Sequence, residues 1–138
     1  QQRGWAIFND ASTVLPHGEC AHCHTDPLFT NLEFVNNGLD RVNTLEDFAD
    51  KGRGRITGNR YEFGTFRVPS LRNIARTAPY MHDGRFGTLE EVIDHYMGGG
   101  HYAENVNPNI RPLLFSPQDK ADLTAFLQTL SDSSIIYE

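Results

Sequence analysis

A chain of 138 residues, 38% hydrophobic and with a formal charge of -6, is sized for one compact domain and is too short for two ordinary ones. The acidic balance argues against nucleic acid as a partner. No run of about 18 apolar residues is present to cross a membrane, and no basic segment leads into an apolar one as in a secretory leader.

The chain starts at Gln1 without an initiator methionine, which suggests a processed product or an excised piece. Gln2 to Phe8 reads as an opening helix, with Trp5 and Phe8 on one face. It leads to Cys20-Ala21-His22-Cys23-His24, a CxxCH pentapeptide that holds both cysteines of the chain. This is the usual signature of covalent haem attachment: the two thiols form thioethers with the vinyl groups of one haem, and the imidazole of His24 reaches the iron from the proximal side. Other uses of a CxxC pair fare worse. A closed zinc site needs four good ligands, and no further cysteine exists. A redox dithiol of the thioredoxin kind wants a βαβ context, whereas Glu19 precedes Cys20 and no parallel strands are legible. A disulfide across two residues would close too small a loop to stabilise much. One haem c is the expectation, and its attachment implies a compartment outside the cytoplasm, the periplasm or the cell surface. The large apolar ring also adds buried surface to a chain of modest hydrophobic content.

Residues 25–65 show little sustained periodicity apart from a helical turn at Thr44 to Asp47. A long irregular stretch of this kind suits a segment wrapped around a cofactor. Nine of the twelve basic residues lie between Arg41 and Arg85. Lys51, Arg53, Arg55 and Arg60 read as a solvated loop. Arg67 and Arg72 flank Pro69 and are candidates to clamp haem propionates, because a guanidinium fork matches a carboxylate. Ser70 reads as the cap of a short helix through Ile74 and Ala75 that Pro79 ends. Thr88-Leu89-Glu90-Glu91 forms a capping box, after which Leu89, Val92, Ile93, Tyr96 and Met97 follow at helical spacing up to Gly98-Gly99-Gly100. Ser116-Pro117-Gln118-Asp119 opens a last helix with Leu123, Phe126, Leu127 and Leu130 as its core face. The tail from Ser131 to Glu138 is expected to be loosely held.

The sixth ligand of the iron decides between electron carriage and small-molecule chemistry. A second strong donor closes the metal, and an open face admits peroxide. The candidate donors are Met81 and Met97, the histidines His17, His22, His82, His95 and His101, and tyrosine. Tyr96 and Met97 stand out by position, since they close an amphipathic helix just before a flexible glycine run.

FRVPSLRN from Phe66 to Asn73 and TAPYMHDG from Thr77 to Gly84, followed by Thr88-Leu89-Glu90-Glu91, closely resemble the C-terminal haem domain of the bacterial di-haem cytochrome c peroxidases. They are equally similar to their relatives, the MauG-type enzymes that mature methylamine dehydrogenase. The resemblance runs from Gln1 to the helix around Ala125, Phe126 and Leu127. It implies a mostly α cytochrome c-like fold, with short helices and long loops around one covalently bound haem and residues 1–138 as a single mono-haem domain.

The resemblance also implies an electron-relaying haem whose sixth ligand comes from the helix after TAPYMHDG. That ligand is methionine in the peroxidases and tyrosine in the MauG-type enzymes. Counting without a gap from His82 puts the position on Tyr96; one inserted residue moves it to Met97, and register favours Tyr96. A phenolate would stabilise ferric iron and a thioether would raise the potential. His82 is expected around the propionates or behind the ligands. The family carries two CxxCH motifs and binds peroxide at the haem of the N-terminal half, so with one motif here peroxidase activity does not carry over to this chain alone. In relatives, carbonyls matching Thr77 and Pro79 help hold a calcium ion together with a ligand from the other half; a turn set by Pro79 is the favoured reading of these residues here. Two functions stand as expectations. One is a c-type cytochrome exchanging electrons with redox protein partners; the other is the C-terminal relay domain of a di-haem peroxidase or MauG-like oxidase whose peroxide-binding haem lies elsewhere.

Overall fold

The computed structural model describes residues 1–132, so for residues 133–138 the expectation of a loosely held tail lies outside the described residues. Among them are four α-helices: α1 (Gln2–Phe8), α2 (Gly54–Thr57), α3 (Leu89–Met97) and α4 (Pro117–Thr129). Long connections between them carry short 3-10 turns and one antiparallel ribbon, β1 (Phe34–Val35) with β2 (Phe66–Arg67), in which Phe34 faces Arg67. No helix among the described residues is long and apolar enough to cross a membrane.

The two longer helices start where local chemistry places them. In α3 the Glu91 amide donates to the Thr88 hydroxyl at 3.2 Å, and the Thr88 amide donates to the Glu91 carboxylate at 3.0 Å. Ser116 and Asp119 repeat this box at the start of α4, with Pro117 at the first helical position. Each box satisfies amides that the helix itself leaves unpaired, an arrangement worth about 1 kcal/mol.

Helix α1 crosses α4 at very short range. A Cβ on Gly4 would stand 1.9 Å from the Asp122 carbonyl oxygen, so only glycine permits this approach. Arg3 pins the crossing through Asp119 and, at 2.7 Å, through Asp122. Ile7 and Phe8 join Leu123, Phe126 and Leu127 of α4 and Ile93 of α3 in the main core. The Phe8 ring lies 5.2 Å from Phe126 and 6.0 Å from Phe29. Because Phe29 follows the CxxCH segment, the same core forms a floor beneath the site. A smaller cluster of Val42, Leu45, Phe48 and Ala103 anchors the irregular middle of the chain around the turn Leu45–Asp47.

Three sequence expectations are corrected. Trp5 does not share the burial of Phe8: it is 51% exposed against 1%. Ser70 does not cap a helix. Its hydroxyl donates to the Leu28 carbonyl at 2.6 Å and accepts from the Arg72 amide at 3.2 Å, while the helical turn is confined to Ile74–Arg76 behind Asn73 with φ +62. A carbonyl 42 residues away has outcompeted the local cap. The basic loop is not merely solvated either. Lys51 lies over Phe63 at 4.4 Å, Arg53 pairs with Glu62 at 3.1 Å and Arg60 with Glu46 at 3.0 Å.

Candidate haem site

Cys20 opens the 3-10 turn Cys20–His22, which is entered through Glu19 in a left-handed conformation (φ +57), and Cys23 follows that turn. Both thiols are free. Cys20 packs against the main core and donates to the Gly18 carbonyl at 3.1 Å. Burial, reinforced by the charges of Asp10, Cys23 and Glu19, pushes the Cys20 thiol up to about 12. Burial and then Glu33 push Cys23 up as well. Thiols held protonated are poor redox nucleophiles, which suits tethering sulfurs and not an activated dithiol.

His24 follows directly. Its Nδ1 lies 3.0 Å from the Phe29 carbonyl and 3.2 Å from the Pro69 carbonyl. Carbonyl oxygens only accept, so Nδ1 carries the hydrogen, and Nε2 keeps its lone pair with no hydrogen-bond partner among the described residues. Burial lowers the His24 pKa against the opposing pull of the two carbonyls, favouring the neutral ring that a metal needs. Carbonyl partners at the far nitrogen are the usual device for fixing a ligating imidazole. His22 points elsewhere: its Nε2 is 3.0 Å from Glu19 and 3.6 Å from Asp10.

Tyr96 stands on the last turn of α3, and its hydroxyl lies 3.3 Å from Asn37 Nδ2. Burial raises the phenol pKa, the Asn37 bond lowers it, and the nearby Cys20 and Cys23 thiols raise it further. The charges of both CxxCH thiols are thus felt at the phenol. Met97, about 100° further round the helix, packs against the main core instead. Asn37 Nδ2 also lies 3.4 Å from Met81 Sδ, and the Asn37 carbonyl accepts from His95 Nε2 at 3.0 Å. Asn37 was invisible to sequence reasoning, since an asparagine in Asn36-Asn37-Gly38 reads as an ordinary turn.

The other expected site residues divide. Pro69 reaches the site through its carbonyl. Arg72 lies over Phe29 at 5.8 Å and donates to the Pro27 carbonyl, and Arg67 lies over Phe34 at 4.8 Å, both exposed. His82 stacks flat on Phe66 at 3.6 Å on the surface. Thr77 and Pro79 occupy an exposed turn before the buried Tyr80. Two free thiols and an imidazole with one nitrogen committed to main-chain carbonyls are the groups that covalent haem attachment uses, and the partly buried Tyr96 phenol is a further oxygen donor.

No protein-family model matches the chain. It is 38% identical over 134 residues to the methylamine utilization protein MauG of Methylorubrum extorquens, a match covering 94% of this chain and 34% of that protein. It is 34% identical over 155 residues to the cytochrome-c peroxidase IdrP1 of Denitromonas iodatirespirans, covering 94% and 40%. Among solved structures, a MauG-like protein associated with microbial copper homeostasis matches with a TM-score of 0.83 at 37% identity, over 96% of this chain and 47% of that one. The di-haem peroxidase BthA of Burkholderia thailandensis matches with a TM-score of 0.72 at 23% identity, over 96% and 42%, a likeness of fold alone. The chain thus spans about a third to two-fifths of the length of these curated relatives. By sequence and by fold it is similar to one part of the bacterial di-haem cytochrome c peroxidases and MauG-type proteins.

Proposed function

We propose that this chain is a c-type cytochrome domain that carries one haem c and exchanges single electrons with redox protein partners. Cys20 and Cys23 are the tethers, His24 the proximal ligand and Tyr96 the distal one. Arg67 and Arg72 serve the propionates, with Pro69 and His82 in supporting positions. Once bound, the haem would supply a one-electron Fe(III)/Fe(II) couple.

The reading is carried by one pairing: His24, with Nε2 left free by the two carbonyls on Nδ1, and Tyr96, whose hydroxyl is held by Asn37 at the end of α3. Two donors close a metal to exogenous ligands, and closure favours electron transfer. Met97 is the alternative donor; its partly buried side chain packs against the main core, which favours Tyr96. The Phe29 and Pro69 carbonyls fix the imidazole and strengthen it as a donor, while the amide that Asn37 donates to the phenolic oxygen orients that oxygen and favours its ionised form. Phe8, Phe29 and Phe126 pack ring against ring at the base of the loop that follows His24.

The chain spans under half of each relative, and this favours a larger setting: the C-terminal relay of a di-haem peroxidase or MauG-like oxidase whose peroxide-binding haem lies on another domain or subunit. A calcium ion at the carbonyls of Thr77 and Pro79 would need a further ligand from that other part. Thioether attachment places the protein in the periplasm or another extracytoplasmic compartment.

Mass and absorbance of the matured protein test the proposal. One haem of added mass and a Soret band that peroxide leaves unchanged support it, whereas a colourless chain of bare polypeptide mass overturns it. Tyr96→Phe is expected to change the axial-ligand spectrum and Met97→Leu to leave it in place. The reverse result moves the ligand to Met97.

A further inference from the structure

Met81 has no role in the assignment above, yet its sulfur meets the same amide that holds Tyr96. Asn37 Nδ2 lies 3.4 Å from Met81 Sδ and 3.3 Å from the Tyr96 hydroxyl, so one amide bridges a thioether and a phenol that are 15 positions apart in sequence. The bridge is fixed. The Asn37 carbonyl accepts from His95 Nε2, so consecutive residues of α3 hold both the main chain and the side chain of Asn37. Met81 itself takes φ +72, a conformation rare for an unbranched side chain of this size and one that points to an imposed orientation. The other sulfur near this helix end, Met97, is partly buried against the main core.

We propose that Met81 is a second axial donor for the iron, held off by Asn37 while Tyr96 occupies the metal and able to take its place when the phenolic oxygen is withdrawn. The inference rests on the haem reading above. A thioether is a soft, flexible donor that needs no deprotonation, so replacing the phenol requires only side-chain rotation and a lone pair from sulfur. The exchange of donors transfers no electron. It moves the site from a ligand that favours ferric iron to one that favours ferrous iron.

The test is spectroscopic and uses the matured, haem-loaded chain. Ferric Tyr96→Phe is expected to stay six-coordinate and to gain the near-infrared charge-transfer band of a methionine–iron bond. That band should vanish in Tyr96→Phe/Met81→Leu and persist in Tyr96→Phe/Met97→Leu. An open, high-spin iron in Tyr96→Phe overturns the proposal, as does a bis-histidine spectrum or a band that depends on Met97.

Asn37→Ala supplies a second readout with the phenol in place. Freeing the sulfur should raise the reduction potential, and Met81→Leu in the same background should reverse the rise; equal potentials with and without Met81 overturn the proposal. A methionine band in the unsubstituted protein that Met81→Leu abolishes would make Met81 the resting ligand and overturn its reserve role. Failure of the haem reading looks different, since the unsubstituted chain would then be colourless.

Discussion

The proximal and distal sides of the site are built by opposite means. On the proximal side a loop histidine is fixed by two main-chain carbonyls, those of Phe29 and Pro69, over a floor of packed aromatic rings. On the distal side a helical tyrosine is held by a side-chain amide, Asn37, that reaches it from a turn 59 positions away. Carbonyls survive almost any substitution of the residues that carry them, whereas an amide side chain disappears with one. The proximal side is therefore robust and the distal side adjustable, a division that would suit the proposed haem, attached on one side and tuned from the other.

The largest effect expected is at the proximal ligand. His24→Ala removes a donor that no neighbouring side chain replaces, since His22 is turned to Glu19 and Asp10; loss of the six-coordinate spectrum, read by absorbance, checks this. Phe126→Ala attacks the floor and not the ligands. It should destabilise the chain by about 3–5 kcal/mol in a denaturant titration, because its ring packs against both Phe8 and Phe29. Thr88→Ala breaks the box at the far end of α3 and should cost about 1 kcal/mol while leaving the spectrum of the Tyr96 end unchanged.

A paired substitution sharpens the contrast itself. Pro69→Ala keeps its carbonyl and is expected to leave the spectrum nearly unaltered, whereas Asn37→Leu should shift it. Equal shifts in the two would break the distinction between the sides.

The smallest effect concerns the α1–α4 crossing, away from both sides. The hydrogen bond from Arg3 holds the Asp122 carboxyl below the usual carboxylate range. Burial pushes the Asp119 carboxyl up, but Ser116 and Arg3 outweigh it and hold that group low too. A carboxyl with a depressed folded pKa adds stability that is in place above its unfolded value and is lost as pH falls through the folded one. The crossing should thus weaken below about pH 4. Arg3→Gln should flatten that stretch of an acid-unfolding curve.

Much of the frame was legible in the chain itself. The boxes at Thr88 and Ser116 marked the starts of α3 and α4 because capping is chemistry between residues three apart. The CxxCH segment is likewise local, and so is its implication for iron. Ser70 shows where such reasoning stops: its hydroxyl had a suitable local use, but the Leu28 carbonyl claimed it once the loops met. Asn37 and Met81 are harder still, since neither stands in any pattern with Tyr96 and only the folded turns bring them together.

The choice between Tyr96 and Met97 shows the boundary best. The sequence alone determined that a phenol and a thioether end an amphipathic helix before three glycines, because periodicity and breakers are properties of neighbours. Which of the two packs against the core and which turns to Asn37 was decided only by how α3 docks. Adjacent helical residues point about 100° apart, and nothing along the chain says which direction holds the core until distant segments have packed against it.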